Sequence, residues 1–100
     1  KMKKINFVAT VVRWFDKVNG NTYHSVKIER TKDGKILKSS PVIYGYGDHY
    51  RQTALDLMIE HNWIDQKYKG SNHLFERENN YCISWNVTNG LKREMKENVT

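Results

Sequence analysis

Hydrophobic and polar positions alternate most cleanly in residues 22–30, TYHSVKIER. His24, Val26 and Ile28 fall on one side there, with Tyr23, Ser25, Lys27 and Glu29 on the other. A period of two over this length predicts a β-strand with one buried face. Residues 5–15, INFVATVVRWF, are rich in β-branched and aromatic side chains and predict another strand. Phe7, Ala9 and Val11 share one of its faces, and Val8, Thr10, Val12 and Trp14 share the other. Both faces are largely apolar, as in a central strand or one covered on both sides. Between the two strands DKVNGN (residues 16–21) reads as a turn, with Asn19-Gly20 supplying residues that tolerate positive φ.

Asp33-Gly34 within TKDGK is a strong hairpin signal, so residues 36–46 are expected to return as a third strand. Pro41 within it cannot donate to a ladder and forces an edge position or a bulge. Gly45 and Gly47 then interrupt the strand, and Asp48 occupies the place of a helix N-cap. Tyr50, Ala54, Leu57, Met58 and His61, widened by Leu55 and Ile59, follow the three–four spacing of a helix laid across a sheet, from about His49 to His61. Trp63 and Ile64 end it. Residues 65–80, DQKYKGSNHLFERENN, read as polar and irregular, anchored by Leu74 and Phe75. YCISWNV (residues 81–87) predicts a fourth strand with Tyr81, Ile83, Trp85 and Val87 on one face. Asn89-Gly90 breaks it, and residues 91–98 form either a short charged helix or a frayed end.

One hundred residues hold one domain with one modest core, and the chain reads as a single unit, residues 1–100, with 1–4 and 97–100 frayed. The fold class expected is α+β: an antiparallel sheet, made of a three-strand meander plus a fourth strand, with one main helix packed on one face. Lys1 ahead of Met2 reads as the remnant of an expression tag.

The charge is more suggestive than the pattern. Seventeen Lys and Arg stand against eleven Asp and Glu, a net charge of +6, which favours polyanionic partners. Part of it crowds the ends: Lys1, Lys3 and Lys4 at one, and Lys92, Arg93 and Lys96 at the other. A basic face and merely solubilising ends are both consistent with that distribution. Cys82 is the one cysteine, so neither a disulfide framework nor a cysteine-based zinc site is encoded, and a reducing, intracellular setting is expected. No run of 18 apolar residues reads as a membrane span.

Catalytic patterns are missing. His24, His49, His61 and His73 lack the spacing of metal ligands, and Cys82 lies in an expected core strand. Asp16, His24 and Asp48 are not spaced as a nuclease triad demands. The chain is therefore expected to be non-enzymatic and to need neither cofactor nor metal.

Two binding constellations remain. The strand-to-helix junction Tyr44-Gly45-Tyr46-Gly47-Asp48-His49-Tyr50, with Arg51 beside it, could bring backbone N–H groups close to an anion. Equally, its glycines could shape a bulge and tight turn, with Asp48 simply capping the helix. Tyr23, Lys27, Glu29, Lys35 and Lys38 could present a basic and aromatic sheet face, on which single-stranded nucleic acid stacks its bases while cations track its phosphates. An ordinary solvated outer face would have a similar composition. Tyr23, Lys27, Lys35, Lys38, Tyr44, Tyr46, His49 and Arg51 are thus the expected partner-binding residues.

WFDKVNGNTYHSVKI followed by YGYGDHYRQTA resembles a group of small accessory proteins encoded by tailed phages and prophages. The likeness rests on Trp14, Asp16, residues 19–24, residues 44–48 and Tyr50. No activity comes with that group. What the resemblance implies is a setting: a phage protein in the cytoplasm of a bacterial host cell that binds either nucleic acid or a host protein. The second alternative includes stoichiometric inhibition of a nucleoprotein defence effector.

Overall fold

β1 (Phe7–Asp16) and β2 (Asn21–Arg30) form a long antiparallel hairpin in which Phe7 faces Arg30 at one end and Asp16 faces Asn21 at the other. Asp16 closes the loop. Its carboxylate accepts the Val18 and Asn19 N–H groups at 3.0 and 3.3 Å and the Asn19 side chain at 2.8 Å, while its carbonyl accepts from Gly20. Gly20 sits at φ +70, which is why a glycine ends this turn. The computed structural model describes residues 4–100. The expected fraying of residues 1–3, the tag remnant and the charge of Lys1 and Lys3 lie outside the described residues.

The faces assigned from the alternation hold. Phe7, Ala9 and Val11 pair across the hairpin with Arg30, Ile28 and Val26, and apart from Arg30 all are buried. The returning strand is broken in two. β3 (Ile36–Lys38) pairs with β2 from Glu29 to Lys27, and β4 (Ile43–Tyr44) pairs with His24 and Tyr23. Residues 39–42 of the edge strand therefore face only Ser25 and Val26 of β2, a bulge centred on Pro41 as its missing N–H requires.

α1 (Tyr50–Glu60) packs Tyr50, Ala54, Leu55 and Met58 onto the Phe7–Ala9–Val11 face, with Thr53 beside them. Its start differs from expectation. Asp48 offers its backbone carbonyl to the Arg51 N–H at 2.9 Å, and the N-cap position falls to His49, which makes no side-chain cap. Gly47 at φ +66 turns the chain so that Tyr46 C=O takes the His49 N–H, and this turn, rather than an aspartate cap, launches the helix.

The rest of the chain departs further. Residues 65–80 are ordered: a 3₁₀ turn (Gln66–Tyr68), capped by the Asp65 carboxylate on the Lys67 N–H, is followed by α2 (Asn72–Glu78). The last strand, β5 (Ile83–Asn89), runs parallel to β1, with Phe7 opposite Ile83 and Arg13 opposite Asn89. The sheet order is β3–β2–β1–β5, with β4 beside β2 past the bulge. The architecture is thus α+β with a mostly antiparallel sheet, and not a clean antiparallel meander carrying one helix. An intervening helical segment makes the parallel return natural, because α1 and α2 carry the chain back to the end of the sheet where β1 begins.

α3 (Lys92–Glu97) lies on the opposite face of the sheet. Met95 is fully buried there, its carbonyl accepting from Ser25 Oγ at 2.6 Å, and Asn98 Nδ2 donates to the Thr10 carbonyl at 3.0 Å. Among the described residues no helix is long and apolar enough to cross a membrane.

Candidate nucleic-acid interface

Cross-strand register builds an aromatic row on the α3 face. Trp14 of β1 stands opposite Tyr23 of β2, which stands opposite Tyr44 of β4. Directly opposed side chains on one face lie within contact distance, so the three rings meet. Trp14 and Tyr23 stack with centroids 5.6 Å apart. Tyr23 meets Tyr44 edge to face at 5.8 Å, and Tyr44 meets Tyr46 in the same way at 6.3 Å. Tyr44 and Tyr46 are 56% and 69% exposed, so much of their ring surface is open to solvent. Lys92, at the start of α3, places its ammonium 5.3 Å from the Trp14 ring centroid, a cation–π contact at the other end of the row.

Lys27 and Lys38 are also cross-strand neighbours, on the same side of the sheet as Tyr23. They do not adjoin the row. Lys27 lies four steps along the strand from Tyr23, about 13 Å, and α3 crosses the sheet between them. One end of that helix is marked by Lys92 over Trp14, the other by Lys38 Nζ, which donates to the Thr100 carbonyl at 3.0 Å. The aromatic row and the lysine pair are thus joined by a helix that itself carries Lys92, Arg93 and Lys96, each exposed.

The remaining expected residues are elsewhere. Lys35 belongs to the Asp33-Gly34 hairpin, its carbonyl bonded to the Arg30 N–H. That puts it at the far end of β2, roughly 20 Å from Tyr23 by strand rise. Arg51 is on the other side of the sheet. Its Nη1 donates to both oxygens of Glu76, at 3.0 and 2.8 Å, and its guanidinium lies 5.0 Å from the Trp85 ring centroid. Glu76 is buried and also accepts from Trp85 Nε1 at 2.8 Å. Arg51 is therefore committed to a structural ion pair and takes no part in the face that holds Tyr23 and Tyr44.

His49 is solvent-exposed and lays its ring against the buried Gly45 backbone, as part of the cover over this end of the sheet. A Cβ built on Gly45 would come 2.6 Å from that ring, so only glycine allows the close approach. Gly45 also adopts φ +153, a conformation that side chains resist. Beneath lies His24, fully buried, with Nε2 2.7 Å from Thr53 Oγ1 and its ring 5.7 Å from that of His49. Burial holds the His24 imidazole below its ordinary value of 6.5.

Trp14 and Lys92 complete the row and escaped the sequence reading of the site. The signal for Trp14 was there. A turn that sets Asp16 opposite Asn21 also sets Trp14 opposite Tyr23. Among the described residues, no three of His, Cys, Asp and Glu are grouped so as to hold a metal ion. Beside the row a cleft of about 900 Å³ opens where β1 runs on past the end of β5, walled by Trp14, Phe15, Val18 and Leu91. No family model, curated protein or solved structure matches this chain.

Proposed function

We propose that the protein binds single-stranded nucleic acid on the aromatic row Trp14–Tyr23–Tyr44–Tyr46, with the α3 cations and the Lys27–Lys38 pair tracking the phosphates. The observation that carries this reading is the row itself: four rings in contact across three strands, two of them widely exposed, with a lysine on the end ring. Bases stack on such rings at about 1–3 kcal/mol each, and the lysines supply counterion release. A duplex offers no free base faces, so single strands are the preferred form. In this reading the protein acts as a binding module without catalysis, in the phage-accessory setting that the sequence resemblance implies.

A protein partner is the second reading, favoured by one observation: Phe15, Val18 and Leu91 are exposed next to the row, 55%, 91% and 57% respectively. Solvent-exposed apolar side chains beside tyrosines also suit a protein interface. Salt separates the two. Fluorescence anisotropy with labelled single-stranded and duplex DNA and RNA, at low and physiological salt, should show single-strand binding that weakens as salt rises. Absence of binding even at low salt removes the nucleic-acid reading and leaves the protein partner.

A further inference from the structure

Residues 44–49 roof over a fully buried histidine for which the Gly45 backbone is the one neighbour that favours a second proton, too weakly to offset burial. His24 is fully buried, its Nε2 is engaged with Thr53 Oγ1, and its Nδ1 is buried without a hydrogen-bond partner. A neutral imidazole tolerates this, since one nitrogen can stay an idle acceptor. An imidazolium donates from both nitrogens and carries a charge, and burying it unpaired is costly. The charged or titratable groups facing it make matters worse: Arg13, opposite on β1, and His49, from the roof itself, both act against protonation. α1 offers only the Thr53 hydroxyl and β4 only apolar Ile43, its partner in register. The Gly45 backbone alone favours the charged form, and less strongly than burial opposes it.

The roof is also the lightly held part of this region. β4 is two residues long. Beyond it the segment is tied to the sheet, among the described residues, only by Gly45 N–H to the Thr22 carbonyl at 3.1 Å and Arg13 Nη1 to the Gly47 carbonyl at 2.9 Å, while its far end is hinged on α1, where the Asp48 and His49 carbonyls accept the Arg51, Gln52 and Thr53 N–H groups. Gly45 and Gly47 both hold positive φ. Short, edge-held backbone of this kind opens at lower free energy than the core strands.

We propose that residues 44–49 form an acid-released latch: protonation of His24 is relieved by lifting this segment, which withdraws Tyr44 and Tyr46 from the aromatic row. Its consequence for ligand binding rests on the function proposed above, whereas the latch itself does not.

The test follows the full chain by NMR from about pH 8 to about pH 5, a window spanning the ordinary imidazole range, reading the four histidine rings and the exchange of backbone amides together. His24 should titrate below the ordinary imidazole value of 6.5. Amides of residues 44–49 should lose protection in the same step, by up to about tenfold per pH unit as one-proton linkage requires, while those of β1 and β2 keep theirs. His49→Gln removes one opposing charge and should move the His24 step to higher pH. His24→Gln, if folded, should leave the latch amides insensitive across the window. The latch is overturned if His24 titrates at its ordinary value, if the latch amides hold through its step, or if the whole sheet opens with them. A labelled single strand added at each pH separates the two claims. Latch opening with unchanged affinity retains the latch and refutes the use of Tyr44 and Tyr46 in binding.

Discussion

Tyr23 of β2 sits opposite Tyr44 of β4, and their rings meet edge to face with centroids 5.8 Å apart. That contact exists because β4 resumes pairing after the Pro41 bulge with two more residues than a regular strand would have used. An even insertion preserves the facing of side chains. Tyr44 therefore returns to the side of the sheet that already holds Tyr23 and Trp14, and Tyr46 follows it round the turn.

Replacing Tyr44 or Tyr46 by serine should lower the affinity for a short single strand by about 5- to 30-fold each, the equivalent of one lost stacking contact of about 1–2 kcal/mol. Thermal stability should hardly change, because both rings are largely exposed. Anisotropy and a melting curve on the same samples check both halves of the expectation.

Neutralising Lys92, Lys27 or Lys38 to Gln should weaken binding uniformly across base sequences. Each should reduce the steepness of the log–log salt dependence by about 0.7, the value for one phosphate contact on a single strand. Lys35→Gln should leave that slope unchanged, since Lys35 sits at the opposite end of β2. Titrations at four or five salt concentrations distinguish these outcomes.

Glu76→Ala should destabilise the fold by about 1–3 kcal/mol, the cost of leaving hydrogen-bond donors unsatisfied, because the Arg51 guanidinium left behind keeps part of its contact with solvent. It removes the acceptor for both Arg51 Nη1 and Trp85 Nε1 and joins α1, α2 and β5 no longer. Arg51→Ala should also lower stability while leaving oligonucleotide affinity intact, as measured by urea unfolding alongside anisotropy at a temperature where the variant remains folded.

Stability should fall with acid in two separate windows. His24 has a folded value below 6.5, so the unfolded chain binds the proton more readily. Its contribution is full above pH 6.5 and is lost as pH falls from there toward the lowered value, with a slope no steeper than about 1.4 kcal/mol per pH unit. Asp33, held down to about 2 chiefly by its hydrogen bond from Arg30, keeps its contribution above 3.8 and loses it as pH falls toward 2. Urea denaturation across pH should show the upper window in the parent chain and its absence in His24→Gln.

Much of the sheet could be read from the chain because its signals are local. The strict alternation of β2 fixes which side His24, Val26 and Ile28 occupy, and Asn19-Gly20 and Asp33-Gly34 mark the two turns. Pro41 announces the bulge. The direction of β5 has no such signal, since Ile83, Trp85 and Val87 would face the core equally well in either orientation. α2 was hidden for a similar reason: seven residues with only Leu74 and Phe75 apolar become a helix through distant contacts, with Phe75 and Tyr68 meeting at 5.2 Å and Glu76 reaching Arg51 and Trp85. Of the expected binding residues, Tyr23, Tyr44 and Tyr46 come together because strand pairing and one turn join them. Arg51 was drawn into the site by its nearness in sequence to Tyr46, yet α1 points it at the other layer.

The most direct test is a chemical-shift map of the labelled protein titrated with a short unstructured oligonucleotide at low salt. Binding on the aromatic row shifts the Trp14 indole and the Tyr23, Tyr44 and Tyr46 rings, together with amides at the start of α3, and leaves Arg51, Glu76 and Trp85 unmoved. Shifts centred on the Arg51–Glu76 side, or none at all at saturating oligonucleotide, would contradict it.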